Sequence, residues 1–406
     1  MILQKSNGIT KEVQPSPAEF KNIGLRGVAV ADSAICKVDG QQGILLYRGY
    51  DIRTLAEKAT YEEVCHLLLK NRMPTRQELA DFTHELADYR HLPGGMVDAL
   101  KALPNTTSAM DVLQAVVSLL AGFDRDLAEE TKEANHRKGA RLIAAFPLAV
   151  AAWFRIRQGR SPVEPDPSLS HAAAFLYALH GKPANAEMVR NMDVALVLHA
   201  EHAFNASTFT CRQIASTHAH MYAAIGGAVG ALSGDLHGGA NEEVYRMLNQ
   251  IGSKDQVRDY VVKTLDAGGK IMGMGHAVYK VLDPRAAILG PLSQRLGHAQ
   301  GDAKWFEISE EIQRVTKEEF RRRKNIDINA NVDFFSASVY HYMGIPVDLF
   351  TPIFAVSRVA GWAAHYIEER FAEAAPKPAL YRPEADYTGR YCGEEGCEWI
   401  EIDERK

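Results

Sequence analysis

Four short stretches of the chain carry side chains suited to acid–base work or anion binding. His237 stands directly before Gly238-Gly239, ahead of an amphipathic run through Val244, Met247 and Leu248. Paired glycines let the backbone turn sharply and let another group come close. A helix opened by Ala240 or Asn241, with Glu242 and Glu243 in its first turn, would aim its positive end at His237. There an imidazole is biased to its neutral form and donates a hydrogen bond rather than carrying charge. Taken alone, the same stretch also reads as a loop histidine before a helix. His276 follows Gly273 and Gly275 and precedes Asp283-Pro284-Arg285; in isolation His276 and Arg285 read as structural. Asp333 sits between Val332 and Phe334 at a helix start. The plain expectation is an N-cap aspartate kept ionised by the helix dipole. An ionised carboxylate in an apolar setting is also what a general base requires. Arg358 lies amid Phe354, Val356, Val359 and Trp362 and needs an anionic partner if it is buried.

Two other chemistries fit less well. His199, His202, His218, His220, His237 and His276 gather within one part of the chain, which raises metal binding. Their spacing matches no zinc pattern and no HExxH is present, so no metal is expected. Gly273-Met274-Gly275 lacks the third glycine of a dinucleotide fingerprint, and no βαβ unit surrounds it.

The elements that must position these residues are mostly helical. The 406 residues are 46% hydrophobic, enough for a large core and two domains. A net charge of -5 gives no basic footprint for nucleic acid. Five cysteines, an odd and sparse set, point to a reducing compartment, and Cys392 with Cys397 could pair or bind metal. No secretion signal opens the chain, and the apolar run Leu142 to Phe154 contains Pro147 and is too short for a bilayer. These features lead us to expect a cytoplasmic protein with no membrane span.

Residues 1–24 read as a polar arm, and 26–50 alternate as a β-hairpin turning at Asp39-Gly40. Thr60 with Glu63 and Thr75 with Glu78 are capping boxes. Helical spacing continues over roughly 125–159, from near Ser168, and over 187–203 and 207–219. The small residues of 223–231 predict a buried helix in a tight interface. A more charged segment, 233–333, interrupts the apolar helical pattern before it resumes at 334. This divides the chain into a large domain, 1–232 with 334–406, and a small one, 233–333. Trp399–Ile402 reads as a short strand.

Considered together, these stretches resemble the citrate synthase family. The matching motifs are LHGGANE at 236–242, MGMGHAVYKVLDPRA at 272–286, NVDFFS at 331–336 and SRVAGWAAH at 357–365. HAEHAFNASTFT at 199–210 and GILLYRGYDI at 43–52 also match, in the family's order, from about residue 24 onward. The resemblance implies a mainly α, two-domain fold with a small N-terminal β-hairpin. It also implies a homodimer whose domains close over active sites completed across the interface.

The implied reaction condenses acetyl-CoA with oxaloacetate and water to citrate and CoA; the alternative is 2-methylcitrate synthase, which uses propionyl-CoA. By position, His237 is the donor to the thioester carbonyl, His276 the one to the ketone, and Asp333 the base for the α-proton. His202, Asn205, Arg285 and Arg358 are expected to hold oxaloacetate, with Arg382 reaching the neighbouring subunit's site. For the CoA thioester, a cosubstrate rather than a resident cofactor, Met272, Gly273, Met274 and Gly275 are expected against the adenine end and Lys280 and Lys324 at the phosphates. Ala330 and Phe335-Ser336-Ala337 depart from the commoner family residues beside Asp333, where they would tune the acyl pocket.

Overall fold

The computed structural model describes residues 24–405 except 26 and 393. The polar arm expected over 1–24 falls, apart from Gly24, outside the described residues.

The chain opens on an antiparallel sheet of β1 (Cys36–Asp39), β2 (Ile44–Tyr47) and β3 (Tyr50–Asp51), in that order. The expected hairpin is therefore three strands rather than two. Arg48 and Gly49 both take positive φ, 47° and 89°, and this tight turn sets Tyr50 opposite Tyr47. The β1–β2 turn is held by Asp39, whose Oδ1 accepts the N–H groups of Gln41 and Gln42.

Every regular element between the sheet and residue 370 is helical. The first group is α1 (Ile52–Lys58), α2 (Tyr61–Lys70), α3 (Arg76–Asp88), α4 (Gly94–Lys101) and α5 (Ala109–Phe123). Next come α6 (Lys132–Ile156), α7 (His171–His180), α8 (Ala186–His199), α9 (Ala206–Ala215) and α10 (Met221–Leu232). A further set follows: α11 (Ala240–Ile251), α12 (Val257–Asp266), α13 (Ala286–Ala299), α14 (Lys304–Lys324) and α15 (Val332–Tyr342). The last is α16 (Phe350–Arg370). Both expected capping boxes form, at Thr60 with Glu63 and at Thr75 with Glu78.

Several helix limits differ from the sequence pattern for local reasons. The helix expected from 125 begins only at Lys132. Asp124–Glu130 is instead a loop, pinned by Arg141 to Asp124 and Asp126 and by Lys138 to the carbonyls of Leu127 and Glu129. The helix expected to 203 stops at His199, and Ala203 then turns the chain with φ 50°. The one expected to 219 stops at Ala215, with His218 at φ 65°.

The apolar run judged too short for a bilayer belongs to α6, whose 25 residues are long and apolar enough to cross one. Its most apolar window is 78% buried within the protein, against α16, α7 and α5, so here it serves as a core helix.

The core is organised around α16. Every residue from Phe350 to Glu369 is buried, and the helix packs on α6, α2, α8, α9 and α10. Its charged residues are paired inside. Arg212 of α9 donates to Glu368 and Glu369, each at 2.6 Å, and to His365 Nδ1 at 3.1 Å. His365 Nε2 in turn reaches Glu201 at 3.0 Å. Gly361 allows Glu201 to approach, because a Cβ there would overlap its carboxylate and the Ala200 carbonyl. A second group of helices lies beside this core: α15 packs on α13, α11 and α14, and α12 on α14.

After α16 the chain runs extended and largely exposed to residue 405, with Tyr387, Tyr391 and Trp399 open to solvent. Cys392 and Cys397 form a disulfide there, so of the two roles left open by the sequence, pairing or metal binding, they take the first. The strand expected at 399–402 does not form, since no neighbouring strand offers it a ladder among the described residues.

The close contact at Gly361 makes a prediction. Gly361→Ala should destabilise the fold by about 1–3 kcal/mol through overpacking, despite the ~1 kcal/mol helix-propensity gain. Urea unfolding measures this, and a variant as stable as the parent would contradict the packing described.

Candidate active site

His237 lies in the loop between α10 and α11, whose turn is closed by the His237 N–H to the Gly234 carbonyl. Gly238 is required for close packing, because a Cβ would overlap the Leu232 carbonyl and Thr351. Thr351 of α16 ties the loop down by donating to the Gly238 carbonyl and Glu242. The imidazole does not meet α11, as the sequence led us to expect. It meets the N-terminus of α9, where the Ser207 backbone N–H donates to Nε2 at 3.2 Å. Ser207 Oγ lies 2.8 Å from the same nitrogen and is held by the indole N–H of buried Trp362. A nitrogen that accepts a backbone N–H has no proton of its own, so His237 carries its proton on Nδ1. Burial, followed by the charge of Arg358, lowers its pKa to about 4. The ring is a neutral donor, as expected, but α9 and burial make it so.

His276 is fixed by the same device. Its Nδ1 accepts the backbone N–H groups of Val278, at 2.9 Å, and Tyr279, at 3.1 Å. The proton is therefore on Nε2, and burial with the Arg285 charge lowers the pKa to about 4. His202 lies beside it, with ring centroids 5.5 Å apart, and the Tyr279 hydroxyl bridges to His202 Nε2 at 3.2 Å. Burial, then Arg285, pushes His202 well below the usual imidazole range.

Asp333 is not the N-cap of its helix. Asn331 takes that role, accepting the Asp333 N–H. Asn331 also joins the 273–275 stretch to the start of α15. Its N–H donates to the Gly273 carbonyl and its side-chain amide to the Gly275 carbonyl, while the Gly275 N–H reaches Asn329. Gly273, at φ 74°, has no room for a Cβ against Phe334 and Val244. Burial raises the Asp333 pKa to about 6, with Arg285 opposing, so the carboxylate expected to be ionised is so at neutral pH but is held less strongly in that form than in water.

Two buried guanidiniums complete the site. Arg285 is held by both oxygens of Asp283, at 3.0 and 2.8 Å. Arg358 donates through Nε to the His199 carbonyl at 2.7 Å and stacks over Phe354, while its buried Nη2 has no protein partner. The charges of both arginines act on His202 and Asp333, so the two converge on one place. An orphaned donor on a buried guanidinium suits a carboxylate ligand.

The remaining predicted residues divide. Met272, Gly273, Met274, Gly275 and Lys324 line one cleft of about 700 Å³, together with Lys270, Phe320 and Arg323. Lys280 is exposed and does not line it; its backbone N–H is bonded to Gly40 instead. The amide of Asn205 is used to cap α9, accepting from Thr208 N–H and Ser207 Oγ. Arg382 is exposed on the extended stretch after α16, with no hydrogen bond or ion pair to the other site residues.

Sequence reasoning missed Ser207, Trp362, Tyr279 and Asn331, which orient the reacting groups. Only the NAST and NVD patterns at 205–208 and 331–333 signal two of them, as helix caps. Among the described residues, no group of three or more His, Cys, Asp or Glu side chains gathers to hold a metal.

The family model described as "Citrate synthase, C-terminal domain" matches residues 24–384. A citrate synthase of Haloferax volcanii is 45% identical over 387 residues, covering 94% of this chain and 98% of its own. A 2-methylcitrate synthase of Shewanella oneidensis is 39% identical, covering 90% and 94%. Among solved structures, a ternary complex of citrate synthase from Thermoplasma acidophilum with carboxymethyl coenzyme A and oxaloacetate superposes with a TM-score of 0.86. It is 30% identical, over 94% of this chain and 99% of that one.

The electrostatics give a direct test. Carbon-13 NMR should find the Asp333 carboxyl titrating near pH 6. The rings of His237 and His276 should stay neutral down to about pH 4. Titration of Asp333 at an ordinary aspartate pKa, or of either ring above pH 6, would contradict the desolvated site.

Proposed function

The chain belongs to the citrate synthase family, and we propose that His237, His276 and Asp333 carry out its condensation of acetyl-CoA with oxaloacetate. The activity is that of an acyltransferase: acetyl-CoA, oxaloacetate and water give citrate and CoA through an enol or enolate. A thioester α-proton is very weakly acidic. A carboxylate removes it only where charge arriving at the thioester oxygen is stabilised in place. Asp333 accepts the proton, and His237 Nδ1–H donates to that oxygen. His276 Nε2–H polarises the ketone of oxaloacetate for attack by the enolate carbon. Each such preorganised donor lowers the barrier by about 3–4 kcal/mol. Arg285, Arg358 and His202 hold the carboxylates of oxaloacetate, and CoA lies along the cleft lined by Met272–Gly275 and Lys324.

One observation carries this reading. Both imidazoles have one nitrogen blocked by backbone N–H groups, so each presents its other N–H as a fixed neutral donor. The raised Asp333 pKa sets the sign of the pH dependence. The base is active only when deprotonated, so kcat/KM rises with pH through about 6.

We further place the small domain at α11–α15, because α15, which carries Asp333, packs on α11, α13 and α14. This moves the boundary past the 333/334 position read from the sequence. Closure of that domain excludes water during enolisation and then admits one water to hydrolyse the citryl thioester. The enzyme works as a homodimer in the cytoplasm. The exposed Arg382 reaches the partner's site.

A thiol-release assay decides the function. Free CoA should appear from acetyl-CoA plus oxaloacetate, with kcat/KM above that for propionyl-CoA. One methylene discriminates by only about 1–3 kcal/mol, so some propionyl turnover is expected. A preference for propionyl-CoA would establish 2-methylcitrate synthesis instead. In the same assay Asp333→Ala should lose thiol release while oxaloacetate still binds, and near-parental turnover would remove Asp333 from its role. Mixing inactive His237→Ala and Arg382→Ala proteins should restore part of the activity through hybrid dimers; no recovery, despite subunit exchange, would confine Arg382 to its own chain.

A further inference from the structure

The β1–β2 turn touches the loop that carries His276. The Gly40 carbonyl accepts the Lys280 N–H at 2.8 Å. The approach is so close that a Cβ on Gly40 would overlap the Val278 carbonyl. Three residues on, a Cβ at Gly43 would come within 2.9 Å of Val281 Cγ2 and 3.4 Å of the Leu282 carbonyl. Val278 is one of the two residues whose N–H groups fix His276 Nδ1, and the other, Tyr279, lies between Val278 and Lys280, both held by the turn. At its other end the sheet is anchored beneath His202: Tyr47, on β2, is fully buried and its hydroxyl donates to the Glu201 carbonyl at 2.9 Å. One small sheet thus bears on both the segment before His202 and the loop after His276.

We propose that the turn Asp39–Gly43 is a positioning element for catalysis, setting the His276 ring against the ketone of oxaloacetate. This rests on the reading of His276 as the ketone's donor. Gly40 and Gly43 are positioning residues, acting through Val278–Leu282. Lacking side chains, they let the turn sit against that loop at backbone distance. Any Cβ there pushes the loop, and with it the N–H pair that holds the imidazole.

The test uses the full chain. Gly40→Ala should lower kcat/KM for oxaloacetate by roughly tenfold to a hundredfold, the effect of displacing a reacting group by about an ångström. The carbon-13 resonance of the bound oxaloacetate ketone should move back toward its position in free oxaloacetate, reporting lost polarisation. Gln41→Ala, at the exposed tip of the same turn, should change neither. Gly43→Ala should shift the same resonance, and adding Val281→Ala, which removes the clashing methyl, should move it part of the way back, the φ of 66° at Gly43 leaving a strain that Val281→Ala does not relieve. A merely strained turn would not be rescued in this way. The pair also decides the matter if Gly40→Ala does not fold. A parental ketone resonance in folded Gly40→Ala, or in Gly43→Ala where Gly40→Ala does not fold, would overturn the proposal. His276→Ala serves as the separate arm: full activity there would overturn the reading of His276 itself, whereas loss there with a parental Gly40→Ala would overturn the positioning role alone.

Discussion

Loss of water from one cleft governs the chemistry of this protein. Two guanidiniums, three imidazoles and a carboxylate face it, and burial is the largest influence on every one of them that shifts. Burial alone would neutralise the whole set. It does so for the three histidines, which become donors or acceptors without charge. It does so only partly for Asp333, because Arg285 pulls the other way. The result is a carboxylate that is weakly held yet still ionised at neutral pH. Such a group has a reason to accept a proton, which an aspartate in water lacks.

Such a cleft has to be held open against collapse, and α16 does this from below. Arg358 stands on that helix with one donor unpaired, and the helix tolerates it because its other charges are matched internally. Arg212 binds Glu368 and Glu369, and His365 passes the connection on to Glu201, the residue before His202. Breaking a buried pair leaves an uncompensated charge, a cost of several kcal/mol. The network therefore couples the placement of the 199–208 segment to the packing of the core. Ser207, which orients His237, belongs to that segment, and Trp362 of α16 holds its hydroxyl.

The sequence revealed which residues take part more clearly than how they are arranged. His237, His276, Asp333, Arg285 and Arg358 stand in motifs whose order along the chain is distinctive. The helices that carry them follow from apolar spacing and from caps such as Thr60 with Glu63. What spacing cannot express is contact between distant segments. His237 was assigned to the dipole of the helix that follows it, because that helix is adjacent in sequence. Its partner is Ser207, thirty residues earlier, and only the packing of α9 against α10 and α16 brings the two together. On its own stretch Asp333 reads as an N-cap, because aspartate commonly caps; Asn331 two residues before competes for the same N–H and holds it. Lys280 is a phosphate candidate by its charge; its side chain is exposed outside the cleft lined by Met272–Gly275, and its backbone N–H is bonded to Gly40.

The contacts that adjacency in sequence does not show bear on the proposed reaction. His237 and His276 both accept backbone N–H groups, His237 with the Ser207 hydroxyl beside them, and backbone donors leave no mark in the sequence. They are also well suited to the task. A peptide N–H cannot ionise or rotate away, so the tautomer it selects is fixed before substrate arrives. A donor that needs no reorganisation during the reaction lowers the barrier by its full interaction with the developing charge. The geometry that makes His237 and His276 hard to interpret from sequence is thus what the proposed mechanism asks of them: two neutral imidazoles, each with one N–H fixed in advance, facing one cleft.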